Sequence, residues 1–87
     1  MKSLDAINHK CLFGPVDFAP PDVVSARLRD ARKSKGLSQW EAAERLGVTQ
    51  PAVSAWENGH PPAREHWKGV SDLYERPMLA LFFDEGR

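Results

Sequence analysis

Residues 36 to 59 read GLSQWEAAERLGVTQPAVSAWENG, and their spacing defines two short helices separated by a sharp turn. Ser38-Gln39-Trp40-Glu41 has the form of a capping box, in which a Ser hydroxyl and a Glu carboxylate satisfy the orphan amides of a helix start. The helix that follows runs to about Leu46, with Ala42, Ala43 and Leu46 on one face and Trp40, Glu41, Glu44 and Arg45 on the other. Gly47 supplies the left-handed residue that ends it. The small Ala43 lets two helices cross closely, and Val48 at the hinge can fill the angle between them.

The next helix begins near Thr49 and ends near Glu57, before Asn58-Gly59. Two starts are compatible with the sequence. With Thr49 as cap, Pro51 is the second helical residue, where its missing amide costs little. A proline also disfavours helical dihedrals at the residue before it, here Gln50, which would move the start one residue on. Either way the helix divides cleanly. Ala52, Val53, Trp56 and Glu57 share the inner side, and Gln50, Pro51, Ser54, Ala55 and Asn58 the outer.

Working outward, Val24, Leu28 and Ala31 recur at i, i+4 and i+7, so a first amphipathic helix spans roughly residues 22 to 35 and stops at Gly36. After Pro61-Pro62 a further helix, about 63 to 75, carries Trp67, Val70 and Tyr74 on one face. Trp56 and Trp67 read as core anchors. Pro77 suits the first turn of a last, short helix whose Met78, Leu79, Leu81, Phe82 and Phe83 are apolar on nearly all sides. That is too much apolar surface to leave wet, so it plugs the core, meets a partner, or does both. Residues 1–21 are broken by Gly14-Pro15 and Pro20-Pro21 and read as an irregular arm.

A chain of 87 residues fits one domain. Its formal net charge is zero, yet the charge is segregated: Arg27, Arg29, Arg32, Lys33 and Lys35 cluster in the first helix, while residues 37 to 60 are acidic on balance. Cys11 is alone, which leaves no internal disulfide and no Cys-rich zinc site, and His9, His60 and His66 lack ligand spacing. No metal or other cofactor is expected. No apolar run reaches the roughly 18 residues of a membrane span, and the first residues lack the apolar core of a signal peptide. A soluble, cytoplasmic protein associated with the nucleoid is the expectation. No catalytic constellation is visible, which argues against an enzyme.

The stretch 36 to 59 resembles the helix-turn-helix of the XRE/Cro/cI-like family, the DNA-binding domain of lambdoid phage repressors and of many small bacterial regulators. Gly36-Leu37-Ser38-Gln39, Ala43, Leu46-Gly47-Val48-Thr49-Gln50, Val53-Ser54 and Trp56-Glu57-Asn58-Gly59 carry the resemblance, without insertion. With the helices on either side it covers residues 22 to about 75 and implies a lambda-repressor-like domain; with the last helix the expectation is an all-α, five-helix domain over residues 22–87, the motif at about 38–57 and the arm at 1–21. It also implies that the N-terminal part of the second motif helix enters the major groove of double-stranded DNA.

Carried over by position, Gln50 is a base reader, joined by Ser54 and by apolar contacts of Pro51 and Ala55 with thymine methyl groups. Pro51 and Ala55 depart from the polar residues often found there, which shifts more of the specificity to DNA shape. Ser38, Gln39, Trp40, Asn58, His60 and Arg64 are candidate phosphate contacts, although the Trp40 indole could instead cover the arm and Arg64 could be simply solvated. Arg32 and Glu57 occupy positions of a structural ion pair. A homodimer that represses by occupying an operator is implied, with Met78, Leu79, Phe82 and Phe83 as its interface. An antitoxin that also binds a protein partner, or an interaction module without DNA binding, are the alternatives. The arm itself has three readings: disorder, packing across a dimer, or following a groove through Lys2 and Lys10.

Overall fold

The computed structural model describes residues 16–85. Helix α1 (Pro21–Ser34) is followed by α2 (Gln39–Leu46), α3 (Gln50–Trp56), a 3₁₀ turn (Arg64–His66), α4 (Trp67–Tyr74) and α5 (Met78–Phe82). Two three-residue strands, β1 (Val16–Phe18) and β2 (Phe83–Glu85), pair antiparallel, with Phe18 opposite Phe83. Among the described residues the fold is all-α, with five α-helices and this one small ribbon.

Local chemistry sets the helix ends. Ser38 and Glu41 form both bonds of the capping box: the hydroxyl oxygen accepts from the Glu41 amide at 3.0 Å, and the Ser38 amide donates to the Glu41 carboxylate at 2.9 Å. Those bonds, the Ser38 backbone amide first, hold the Glu41 carboxyl below its usual range. Gly47 adopts φ 74°, a left-handed conformation that a Cβ would penalise. Thr49 resolves the question of the α3 start. Its hydroxyl accepts from Ala52 at 3.3 Å, which makes Gln50 the first helical residue and Pro51 the second.

The core forms where the inner faces meet. Leu28 and Ala31 of α1, Ala42 and Ala43 of α2, Val53 of α3, Val70 and Tyr74 of α4, and Leu81 and Phe82 of α5 are all buried. Burial pushes the Tyr74 phenol up to about 12.

Four features depart from the sequence reading. Residues 16 to 18, read as part of an irregular arm, form a strand, and Ala19 is buried with its amide donating to the Phe82 carbonyl at 2.9 Å. Residues 16 to 19, on the arm side of the boundary expected after residue 21, thus pair with residues 82 to 85. The first turn of the helix expected from about 63 is 3₁₀, and the α-helix starts at Trp67. Phe83 leaves the last helix to begin β2. Phe82, expected on a dimer surface, is 1% exposed, its ring stacked on Trp67 with centroids 4.4 Å apart. Residues 1–15 of the arm, with Lys2, Lys10 and Cys11, lie outside the described residues.

Candidate nucleic-acid interface

The outer side of α3 and the start of α2 lie next to each other because Gly47 turns the chain sharply between α2 and α3, which pack against each other with the small Ala43 buried. Beneath them, Arg32 and Glu57 meet inside the protein. Arg32 Nε donates to Glu57 Oε2 at 2.7 Å and Nη2 to Oε1 at 3.0 Å, a two-point contact, while Nη1 donates to the Leu37 carbonyl at 2.6 Å. Glu57 is 2% exposed. The hydrogen bonds to Glu57 raise the Arg32 pKa further, against the opposing effect of burial. The sequence located the partners but could not show that the pair is buried, which changes its energetic meaning. Removing one partner of such a pair strands a charge, at a cost of about 3–5 kcal/mol.

The pair also directs two amides. An ionised carboxylate only accepts hydrogen bonds, so Gln39 must turn its amide nitrogen to Glu57, which it does at 3.1 Å. That turns the Gln39 carbonyl toward Gln50, which must answer with its own amide nitrogen, at 2.6 Å. Gln50 is left with its oxygen and one N–H available, an acceptor and a donor in an order fixed from within. Gln39, expected as a phosphate ligand, is primarily the link in this chain and keeps one N–H for a further contact.

The other outward residues are arranged less uniformly. Pro51 is exposed, and Gln50, Ser54 and Ala55 are half-buried at the surface. Ser38 is exposed at the positive end of α2, and Trp40 beside it is 70% exposed. His60 is exposed. Asn58 is exposed but directs its amide nitrogen back to Ser54, to the carbonyl at 2.7 Å and the hydroxyl at 3.3 Å. Arg64, expected as a phosphate contact, lies over the rings of Phe18 and Trp67, 5.5 and 5.3 Å from their centroids. Arg64 remains exposed, and its guanidinium is attracted by the faces of both rings.

Two residues not singled out in the sequence complete the site. Ser25 donates to the Trp56 carbonyl at 2.6 Å and accepts from Gly59 at 2.8 Å, and Arg29 Nη2 donates to the Glu57 carbonyl at 2.7 Å. Their signal was the helical row through α1, but which side of that row meets the end of α3 is a tertiary fact. Among the described residues no three His, Cys, Asp or Glu side chains gather as a metal site, and no helix is long and apolar enough to cross a membrane.

A family model described as helix-turn-helix matches residues 28–81. The chain belongs to the XRE/Cro/cI-type helix-turn-helix family. The P22 c2 repressor, solved in complex with synthetic operator 9T in the presence of Tl⁺, is similar to this helix-turn-helix chain at a TM-score of 0.64 and 25% identity. The match covers 68% of this chain and 91% of the repressor chain. Fe(II)-HppE with the alternative substrate (S)-1-HPP superposes at a TM-score of 0.67 and 23% identity, over 74% of this chain and 34% of that one. CoII HppE in complex with substrate gives 0.67 and 23%, over 74% and 36%. This chain therefore spans about a third of the HppE chains it matches, and at that identity the likeness is one of fold alone. No curated protein sequence matches it.

Proposed function

We propose that the chain is a small, non-enzymatic transcriptional regulator that binds double-stranded DNA with the N-terminal part of α3 in the major groove. The observation that carries this reading is the chain of bonds from Arg32 through Glu57 and Gln39 to Gln50. It leaves Gln50 presenting one acceptor and one donor, which is the complement of adenine N6 and N7, and such a bidentate contact discriminates by about 1–3 kcal/mol. Pro51 and Ala55 offer apolar contact to thymine methyl groups, and Ser54 a hydroxyl. Ser38 and the Gln39 N–H not engaged by Glu57 face phosphate at the positive end of α2, with Trp40 alongside.

One short helix reads few base pairs, so the protein acts as a dimer and represses by occupying an inverted-repeat operator. Met78 and Leu79, 38% and 64% exposed, are the dimer contacts of α5, with the half-buried Phe83 beside them. The unit that folds includes residues 16 to 20 with the helices. The similarity to a repressor crystallised on operator DNA supports the same reading. Setting: a soluble protein of the cytoplasm, associated with the nucleoid.

Selection from a random duplex pool tests it. An enriched inverted repeat with half-sites about one helical turn apart and adenine at a fixed position is the expected result. Absence of enrichment, with no salt-sensitive duplex retention, would overturn it in favour of a protein-interaction module. The exposed Phe18, Met78 and Leu79 support a second reading, an antitoxin-like regulator that also holds a protein. Copurification of a second small protein with the DNA-binding form would distinguish the two.

A further inference from the structure

Resting on the DNA-binding reading above, we infer that Arg29 of α1, held against the C-terminal end of α3, is a DNA-phosphate anchor on that flank of the interface. Several of the other cations are engaged elsewhere. Arg27 donates to the Phe83 carbonyl and pairs with Asp84, Arg32 is closed on Glu57, Lys35 pairs with Glu75, Arg64 lies over two rings and Lys68 pairs with Asp72. Among the described residues Arg29 makes no ion pair, and its hydrogen bond is the one from Nη2 to the Glu57 carbonyl. That bond fixes the guanidinium against the end of α3, where free carbonyls would otherwise repel an anion. Nε and Nη1 remain as donors.

The place where those donors lie is open. Arg29 lines a cavity of about 310 Å³ together with Asp22, Ser25, Ala26, Glu57, Asn58 and Gly59. The family resemblance assigns Asn58 and His60 to phosphate on this side, yet the Asn58 amide nitrogen is directed to Ser54. A phosphate approaching this end of the helix thus meets Arg29 as its charged donor, with at most one N–H from Asn58. Arginine suits the task, since its planar fork can offer two parallel donors to one phosphate. Asp22 on the same cavity opposes it with a negative charge.

Both charges can be tested on the full chain with its selected operator and with a short duplex of unrelated sequence. Each protein neutralising one phosphate fewer should show a salt slope reduced by about 0.9 in log K against log salt. Arg29→Gln is expected to weaken binding to both duplexes by a similar factor and to reduce the slope by that amount, while Arg29→Lys keeps the slope. Asp22→Asn is expected to tighten binding to both. Thermal melting of each variant identifies loss of folding, and Arg29→Lys, which retains charge, separates the anchor from the carbonyl bond. An unchanged slope in folded Arg29→Gln would overturn the anchor while leaving the DNA reading intact. Failure of the unmodified protein to bind either duplex would overturn both.

Discussion

The two ends of this molecule are held together by different physics. Around α2 and α3, one buried carboxylate organises an arginine and two amides, and every bond has a required direction. Around the ribbon, Phe18, Trp67, Phe82 and Phe83 contact one another through ring faces and edges, with Arg64 above them. Ring packing is tolerant of small adjustments and tells nothing outside about direction. A polar chain is intolerant and transmits its direction to the surface. Gln50, the proposed base reader, sits at the end of the polar network.

Breaking each end separately should give the largest effects. Glu57→Ala leaves Arg32 buried without its partner and should cost about 3–5 kcal/mol in denaturant unfolding. Phe82→Ala empties the stack on Trp67 and should cost a similar ~3–5 kcal/mol. The comparison is sharpened by binding. The folded fraction of the Phe82 variant should keep its base preference, and that of the Glu57 variant should lose it. Altered base preference in Phe82→Ala would show that the two ends are not independent.

A subtler break is Gln39→Ala, which removes the link but not the ion pair. Base discrimination at the Gln50 position should fall by about 1 kcal/mol or more, read by competition between the operator and a version altered at that base. Stability should change little. Ser38→Ala should cost about 1 kcal/mol through the lost cap. The Glu41 carboxyl it partners has a lowered folded pKa, so its contribution is present above the ordinary carboxylate range near 4.3 and fades as pH falls through the folded value. An acid titration of α2 stability should lose that limb in the Ser38 variant.

At neutral pH the smallest effect is Tyr74→Phe. The phenol titrates at about 12 in the fold against about 10 when exposed. Its contribution is complete below the unfolded value and is lost as pH rises from there through the folded one. Denaturation midpoints of the parent should fall across that alkaline window, and those of the Phe variant should not.

Legibility in the sequence followed the range of the interaction. Ser38 and Glu41 are three residues apart and form their capping box from local geometry alone. Gly47 and Thr49 likewise mark their own turn. Arg32 and Glu57 could be paired by resemblance, but only packing showed them buried. The burial of Phe82 and the rings over which Arg64 lies were not foreseen, because a cation or a ring carries no mark in sequence of the ring it will meet. Asn58 was read as a phosphate contact, and the structure adds that its amide nitrogen is directed to the Ser54 carbonyl.

By itself, then, the sequence determined the helices of the motif, their caps and the side of α3 that faces out, because those depend on contacts within about one helical turn. The tertiary structure alone decided that residues 16 to 18 pair with residues 83 to 85, that α5 contributes Phe82 to the core, and that Arg29 reaches the end of α3. Three-residue strands at opposite ends of the described chain have no period to detect. Their pairing is favourable only after the helices between them have packed and brought the ends together.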